Sequence, residues 1–195
     1  MTKRDDILGA AERLFYLGGF HATGIDRIVA EAGVTPRTLY RHFRSKEELV
    51  RAVLQRREAR FLALLEEALD REVADETERW TGLFARMERW FHDEGTAGCM
   101  FLKALGEYGS RDDAIAQQVI GYKQRVLDGF RERIAASRIT DTAGLAEGLV
   151  LLLEGAIAQA PVVGGRAAGQ QAASAAIRLF RPVAPESIER EGPAQ

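Results

Sequence analysis

Apolar residues in this chain recur at the i, i+3, i+4, i+7 spacing of an α-helix from one end nearly to the other. No sustained run alternates with the period of two that a strand needs. Ile7, Ala11, Leu14 and Phe15 are the first instance. A chain patterned this way buries itself only as packed helices, so the fold class is all-α with about nine helices. Helices are predicted at 3–17, 25–32, 36–43, 46–69, 76–93, 98–107, 112–136, 141–159 and 165–180. Gly18-Gly19 closes the first, and Thr23 is placed to cap the second. Thr35-Pro36 is an N-cap followed by proline at N1, and Ser45-Lys46-Glu47-Glu48 is a capping-box sequence. Pro161 with Gly164-Gly165 is expected to separate the last two helices. The tail at 182–195 carries three of the five prolines and is expected to be frayed.

With 195 residues, 46% of them hydrophobic, the chain can bury a core without staples. Its single cysteine, Cys99, excludes an intrachain disulfide and suits a reducing compartment. Lys3 and Arg4 run straight into Asp5 and Asp6 with no apolar stretch behind them, so no signal peptide is read. The most apolar segment, 144–165, is cut by Glu147 and Glu154, which argues against a membrane span. A cytoplasmic protein is expected. No nucleophile elbow, phosphate loop or dinucleotide fingerprint is present, so no enzyme and no cofactor are expected. His92, Asp93, Glu94 and Cys99 lack any ligand pair at helical spacing, so no metal is expected either.

The net charge of −2 hides an asymmetry: residues 1–60 hold 12 Lys+Arg against 8 Asp+Glu, and the remainder is acidic. A basic third on an acidic body is the pattern of a chain that meets a polyanion at one end. Ala32-Gly33-Val34-Thr35 joins the second and third helices as a helix-turn-helix, with Gly33 supplying the positive φ the turn requires. Leu39 and Phe43 face inward, while Arg37, Thr38, Tyr40, Arg41 and His42 form an outward row of donors. No carboxylate lies between Glu31 and Glu47. A helix this short and donor-rich fits the major groove of double-stranded DNA.

The strings Gly18-Gly19-Phe20-His21-Ala22-Thr23, Ile28-Val29-Ala30-Glu31-Ala32-Gly33-Val34-Thr35 and Thr38-Leu39-Tyr40-Arg41-His42-Phe43-Arg44-Ser45-Lys46-Glu47-Glu48-Leu49 together resemble the DNA-binding domain of the TetR family. Val29 departs from the alanine usual there. The resemblance implies a helix-turn-helix domain at 1–48 and a larger helical effector-binding and dimerisation domain at 49–181. It also implies DNA-contact roles. Thr23 would cap the second helix and touch a phosphate. Thr35, Pro36, Arg37 and Thr38 would face base edges or nearby phosphates. Tyr40, His42 and Lys46 would grip the backbone, and Arg41 would be either phosphate-bound or solvated. Arg37 is the candidate for bidentate guanine recognition.

Over the remaining chain the resemblance is architectural, and implies that the last two helices pair with a second copy in a homodimer. Their small residues permit close approach and their leucines supply burial, which points to Leu149, Leu152, Ala156, Ala172 and Ala176 as the interface. Trp80, Phe84, Met87 and Phe91 form an aromatic stripe at helical spacing. With Cys99, Met100, Tyr108 and Tyr122 they are candidates to line a pocket for a small apolar or aromatic effector. The function implied is a ligand-responsive transcriptional regulator, most often a repressor, bound to a palindromic operator. The alternative from another class is a small-molecule-binding or enzymatic helical protein with a vestigial helix-turn-helix. Operator sequence, effector identity and regulated genes are not legible in these residues.

Overall fold

The computed structural model describes residues 2–73, 75–137, 139 and 143–180. Among them the chain forms nine helices and no strand: α1 (Lys3–Gly18), α2 (Ile25–Ala32), α3 (Pro36–His42), α4 (Lys46–Leu69), α5 (Glu76–Glu94), α6 (Met100–Tyr108), α7 (Asp113–Ala135), α8 (Leu145–Val163) and α9 (Gly165–Leu179). The frayed tail expected at 182–195, and positions 141 and 142 of the eighth predicted helix, lie outside the described residues.

Caps written in the sequence set most of the ends. Thr2 and Asp5 close a reciprocal capping box on α1, and Ser45 and Asp75 accept the N–H of Glu48 and Glu78 at the starts of α4 and α5. Pro161 does not separate α8 from α9 as expected; it sits inside the last turn of α8, which runs on to Val163. The proline forfeits one backbone hydrogen bond there. The turn is closed by the Gly164 N–H on the Ala160 carbonyl at 3.0 Å.

α1, α2 and α3 pack around Ile7, Ala11, Phe15, Ile28, Leu39 and Phe43, all buried, and the first turns of α4 add Leu49, Val50, Val53 and Leu54 to the same core. The head therefore has no linker behind it, because α4 continues from it into the body. A buried charge network strengthens the junction. Glu12 of α1 meets Arg57 and Arg60 of α4, which also meet Glu94 at the end of α5. The Arg57 guanidinium stands over the rings of Tyr16 and Trp90, 4.4 and 5.3 Å from their centroids. Burial lowers the Arg60 pKa, but the hydrogen bonds that the guanidinium donates to Glu12 and Glu94 outweigh it and hold it well above its ordinary value.

In the body, α5 lies against α9 and α8 against α7. The α5–α9 approach is close because glycine allows it: a Cβ on Gly165 would stand 2.5 Å from the Phe91 Cβ, and one on Gly169 3.1 Å from the Phe84 carbonyl oxygen. α8 is long and apolar enough to cross a membrane by length and composition. Its two carboxylates are paired to α7, Glu154 with Lys123 and Glu147 with Arg131, and it buries Leu149, Leu153, Ala156 and Ala160 inside the bundle.

Candidate nucleic-acid interface

α3 is seven residues long, about 10 Å, against a major groove about 12 Å wide. Its N-terminus is built locally: the Thr38 N–H donates to Thr35 Oγ1 at 3.2 Å, the two threonine hydroxyls lie 3.0 Å apart, and Pro36 occupies the first helical position. The turn before it is fixed by Gly33 at φ +60°, whose N–H caps α2. Leu39 is wholly buried, and this sets which face remains outside. Pro36, Arg37, Tyr40 and Arg41 are exposed, and Thr38 and His42 are partly so. Among the described residues no carboxylate pairs with the Arg37 or Arg41 guanidinium. The face thus offers two free cations, hydroxyls and a phenol with nothing acidic beside them. That arrangement can donate to phosphates and base edges.

Three expected contacts sit differently. Thr23 is fully buried, and its hydroxyl donates to the carbonyls of Gly19 at 2.7 Å and Leu14 at 3.3 Å. It does not cap α2, since the N-cap there is Gly24 and the Thr23 hydroxyl is consumed in closing α1. Lys46 Nζ donates to the His21 carbonyl at 3.3 Å, and burial lowers its pKa, with Glu47 and Glu107 opposing. His42 keeps its Nε2 buried and, among the described residues, without a hydrogen-bond partner.

A junction with no local signature lies behind this face. Glu107 of α6 accepts the N–H of Phe20 at 2.9 Å on one oxygen and that of His21 at 2.6 Å on the other. Lys103 donates to the Tyr16 carbonyl, and Tyr16 in turn donates to the Gly95 carbonyl. The partners are separated by 79 to 87 residues, so no local pattern could have paired them.

The residues expected in an effector pocket do not line one. Trp80, Phe84 and Met87 are fully buried, and Phe91 and Met100 nearly so. Trp80 packs edge-on to Phe130 at 4.9 Å, and Tyr122 stacks on Phe101 at 3.9 Å. Tyr108 faces the head instead, 4.5 Å from the His21 ring, and burial beside Glu47 and Glu107 pushes its phenol up to about 12. Cys99 is a partly exposed residue ahead of α6, with Sγ 3.4 Å from Lys123 Nζ. The stripe is core because its partner is the small-residue face of α9. Packing within the chain, of α9 on α5 and of α8 on α7 and α9, also covers the expected interface: Leu149, Ala156, Ala172 and Ala176 are buried and Leu152 is partly covered. The outward residues of these helices are others, with Leu151 72% and Val162 77% exposed.

The family model described as bacterial regulatory proteins, tetR family, matches residues 7–53. The HTH-type transcriptional repressor ComR of Escherichia coli is 31% identical over 160 residues, 78% of this chain and 76% of that protein. The HTH-type transcriptional activator FasR of Mycolicibacterium smegmatis is 40% identical over 89 residues, 46% of this chain. The chain spans only 39% of the length of FasR and 34% of that of another relative, the regulator UidR of Escherichia coli. Among solved structures, a TetR-family transcriptional regulator from Streptomyces coelicolor superposes with a TM-score of 0.82 at 29% identity, covering 91% of this chain and 94% of that one.

Proposed function

The chain belongs to the TetR family of bacterial regulatory proteins and is a transcriptional regulator; from that premise we propose that it is a cytoplasmic homodimer that reads a palindromic operator through α3 and represses until a small-molecule effector releases it. The acid-free donor face of α3 carries the reading. A vestigial helix-turn-helix on an enzyme would have no reason to keep Arg37 and Arg41 free of carboxylates, which is why a regulator is favoured over the enzymatic alternative. Repression is favoured over activation by ComR, the relative matched along most of its length, while FasR bears the name of an activator over a shorter stretch. The division into a reading unit at 1–48 and an effector-binding, dimerising body at 49–181 follows, with α4 belonging to both.

Two reading helices in a dimer select half-sites about one helical turn, roughly 34 Å, apart or a multiple of that. Selection of bound DNA from random oligonucleotides should return such a repeat. Arg37→Ala should then lose base preference at one position per half-site, at a cost of about 1–3 kcal/mol for the preferred base. An unchanged motif would take base reading away from Arg37, and failure of the wild type to select any DNA would remove the regulator mechanism proposed here.

Dimerisation is assigned to the outward side of α8, where Leu151 and Val162 stand exposed. Leu151→Glu should produce monomers in sedimentation without loss of helicity, because the introduced charge is solvated in the single chain and buried only against a partner. A dimer that survives this change would place the interface elsewhere.

A further inference from the structure

Two cavities open on the same flank of the molecule, along the seam between α4 and α7, and share Leu62 and Arg125 as walls. They lie end to end as a trough along α4 from Arg51 to Leu69, about 27 Å at 1.5 Å per residue, with Leu62 and Arg125 between them. Its two ends differ in chemistry. The far end, about 450 Å³, is mostly apolar, walled by Leu62, Leu65, Leu69, Val126 and Phe130 with Gly129 between them, and is also lined by Glu66, Glu132 and Arg133. The end beside the head, about 670 Å³, is walled by Arg4, Arg51, Gln55, Gln118 and, at the C-terminal end of α3, His42 and Phe43.

The charges at the head end do not cancel. Glu58 is held by Arg125 at 2.6 Å, and Glu48, turned to the Arg44 backbone N–H at 2.7 Å, is, among the described lining residues, the one carboxylate left against Arg4 and Arg51. Arg4 lies over the Phe43 ring at 5.2 Å, and among the described residues neither Arg4 nor Arg51 has a carboxylate partner. His42 adds a buried, unpartnered ring nitrogen on the same wall. An apolar channel leading to two free guanidinium groups is complementary to one shape of ligand, an apolar tail ending in an anion.

We propose that the α4–α7 trough binds an elongated amphipathic anion, with its chain against Leu65, Val126 and Phe130 and its acidic group at Arg4 and Arg51. Such a ligand touches His42 and Phe43 directly, at the end of the helix that faces DNA. For its regulatory consequence the inference rests on the ligand-responsive reading given above; the binding itself does not.

The site can be read by fluorescence, because Trp80 stands edge-on to Phe130, which lines the apolar end. The full chain is titrated with dodecanoate, dodecanol and dodecyltrimethylammonium at micromolar concentrations. Dodecanoate should bind once per chain, at least tenfold more tightly than the alcohol, and the cation more weakly still. Gly129→Phe projects a ring into the apolar end from a position where a Cβ meets nothing within 4 Å. It should weaken dodecanoate and dodecanol at least tenfold while the melting temperature holds; Gly129→Leu serves if the larger ring does not fold. The double variant Arg4→Gln, Arg51→Gln should erase the preference for the acid and leave the alcohol unchanged. Equal affinity of the wild type for acid and alcohol, or indifference to Gly129→Phe, would overturn the site. A double variant that weakens DNA binding yet keeps the preference for the acid would overturn it too, marking Arg4 and Arg51 as phosphate contacts. Operator binding is measured separately by gel shift, so its failure falls on the proposed function and failure of the fluorescence titrations falls on the trough.

Discussion

Arg57→Ala is expected to cost about 3–5 kcal/mol of folding stability, the magnitude for removing one partner of a buried ion pair. Arg57 is 5% exposed, and its Nη1 donates to Glu12 at 3.1 Å and Glu94 at 3.5 Å. Truncation leaves Glu12, itself buried, with Arg60 alone, and it empties the space between the Tyr16 and Trp90 rings. Arg57→Met should cost less, because the methionine refills that space, and pairing it with Glu12→Gln should recover part of the remainder by removing the stranded charge. Urea unfolding of the three variants measures this ordering. A loss below about 1 kcal/mol for Arg57→Ala would mean that the network is worth no more than a surface pair.

Gly169→Leu is the second large effect expected. A Cβ at this position already stands 3.1 Å from the Phe84 carbonyl oxygen and 3.7 Å from the Glu88 backbone nitrogen. These are backbone atoms of α5 and cannot rotate away, so the larger side chain must drive α9 off α5 and expose Phe84 and Phe91. Overpacking of this kind costs about 1–3 kcal/mol, and a rigid neighbour puts this case at the upper end. Gly106→Ala is the control. It lies on an exposed face of α6 with nothing within 4 Å, and should gain about 0.5–1 kcal/mol from helix propensity alone. Thermal melts of the two variants should therefore move in opposite directions. A Gly169→Leu melt within a degree or two of wild type would show that α9 is not held against α5 in solution.

What was legible in the sequence was local. The helix-turn-helix shows through because Gly33, Thr35, Pro36 and Ser45 act on backbone atoms within four residues, and the α2 and α4 boundaries follow from the same short-range chemistry. Thr23 misled because a hydroxyl ahead of a helix reads as a cap, whereas its carbonyl partners lie behind it at Leu14 and Gly19. The aromatic stripe of α5 and the small-residue face of α9 were each visible as patterns. Read apart, they suggested a pocket and a dimer interface. The structure joins them into one intrachain contact, because an amphipathic pattern tells which face is buried and not against what. The charge network and the Glu107 junction were invisible for a related reason: charged residues carry no periodic signature, and these meet across 34 to 87 residues.

The Glu107 junction also orders events during synthesis. The helices of the head and the first turns of α4 supply a core from residues that leave the ribosome early, and α1, α2 and α3 need little else to pack. The Phe20 amide, however, waits for a carboxylate 87 residues further along the chain. From Leu54, the last of those α4 core residues, to Glu107 is 53 residues, which at 5–20 residues per second takes about 3–11 s. Through that interval the head has all of its own core residues and lacks the carboxylate that docks it, so its basic surface can form before its orientation to the body is set. The donor face is thus available to nucleic acid before the element that fixes its angle has been made.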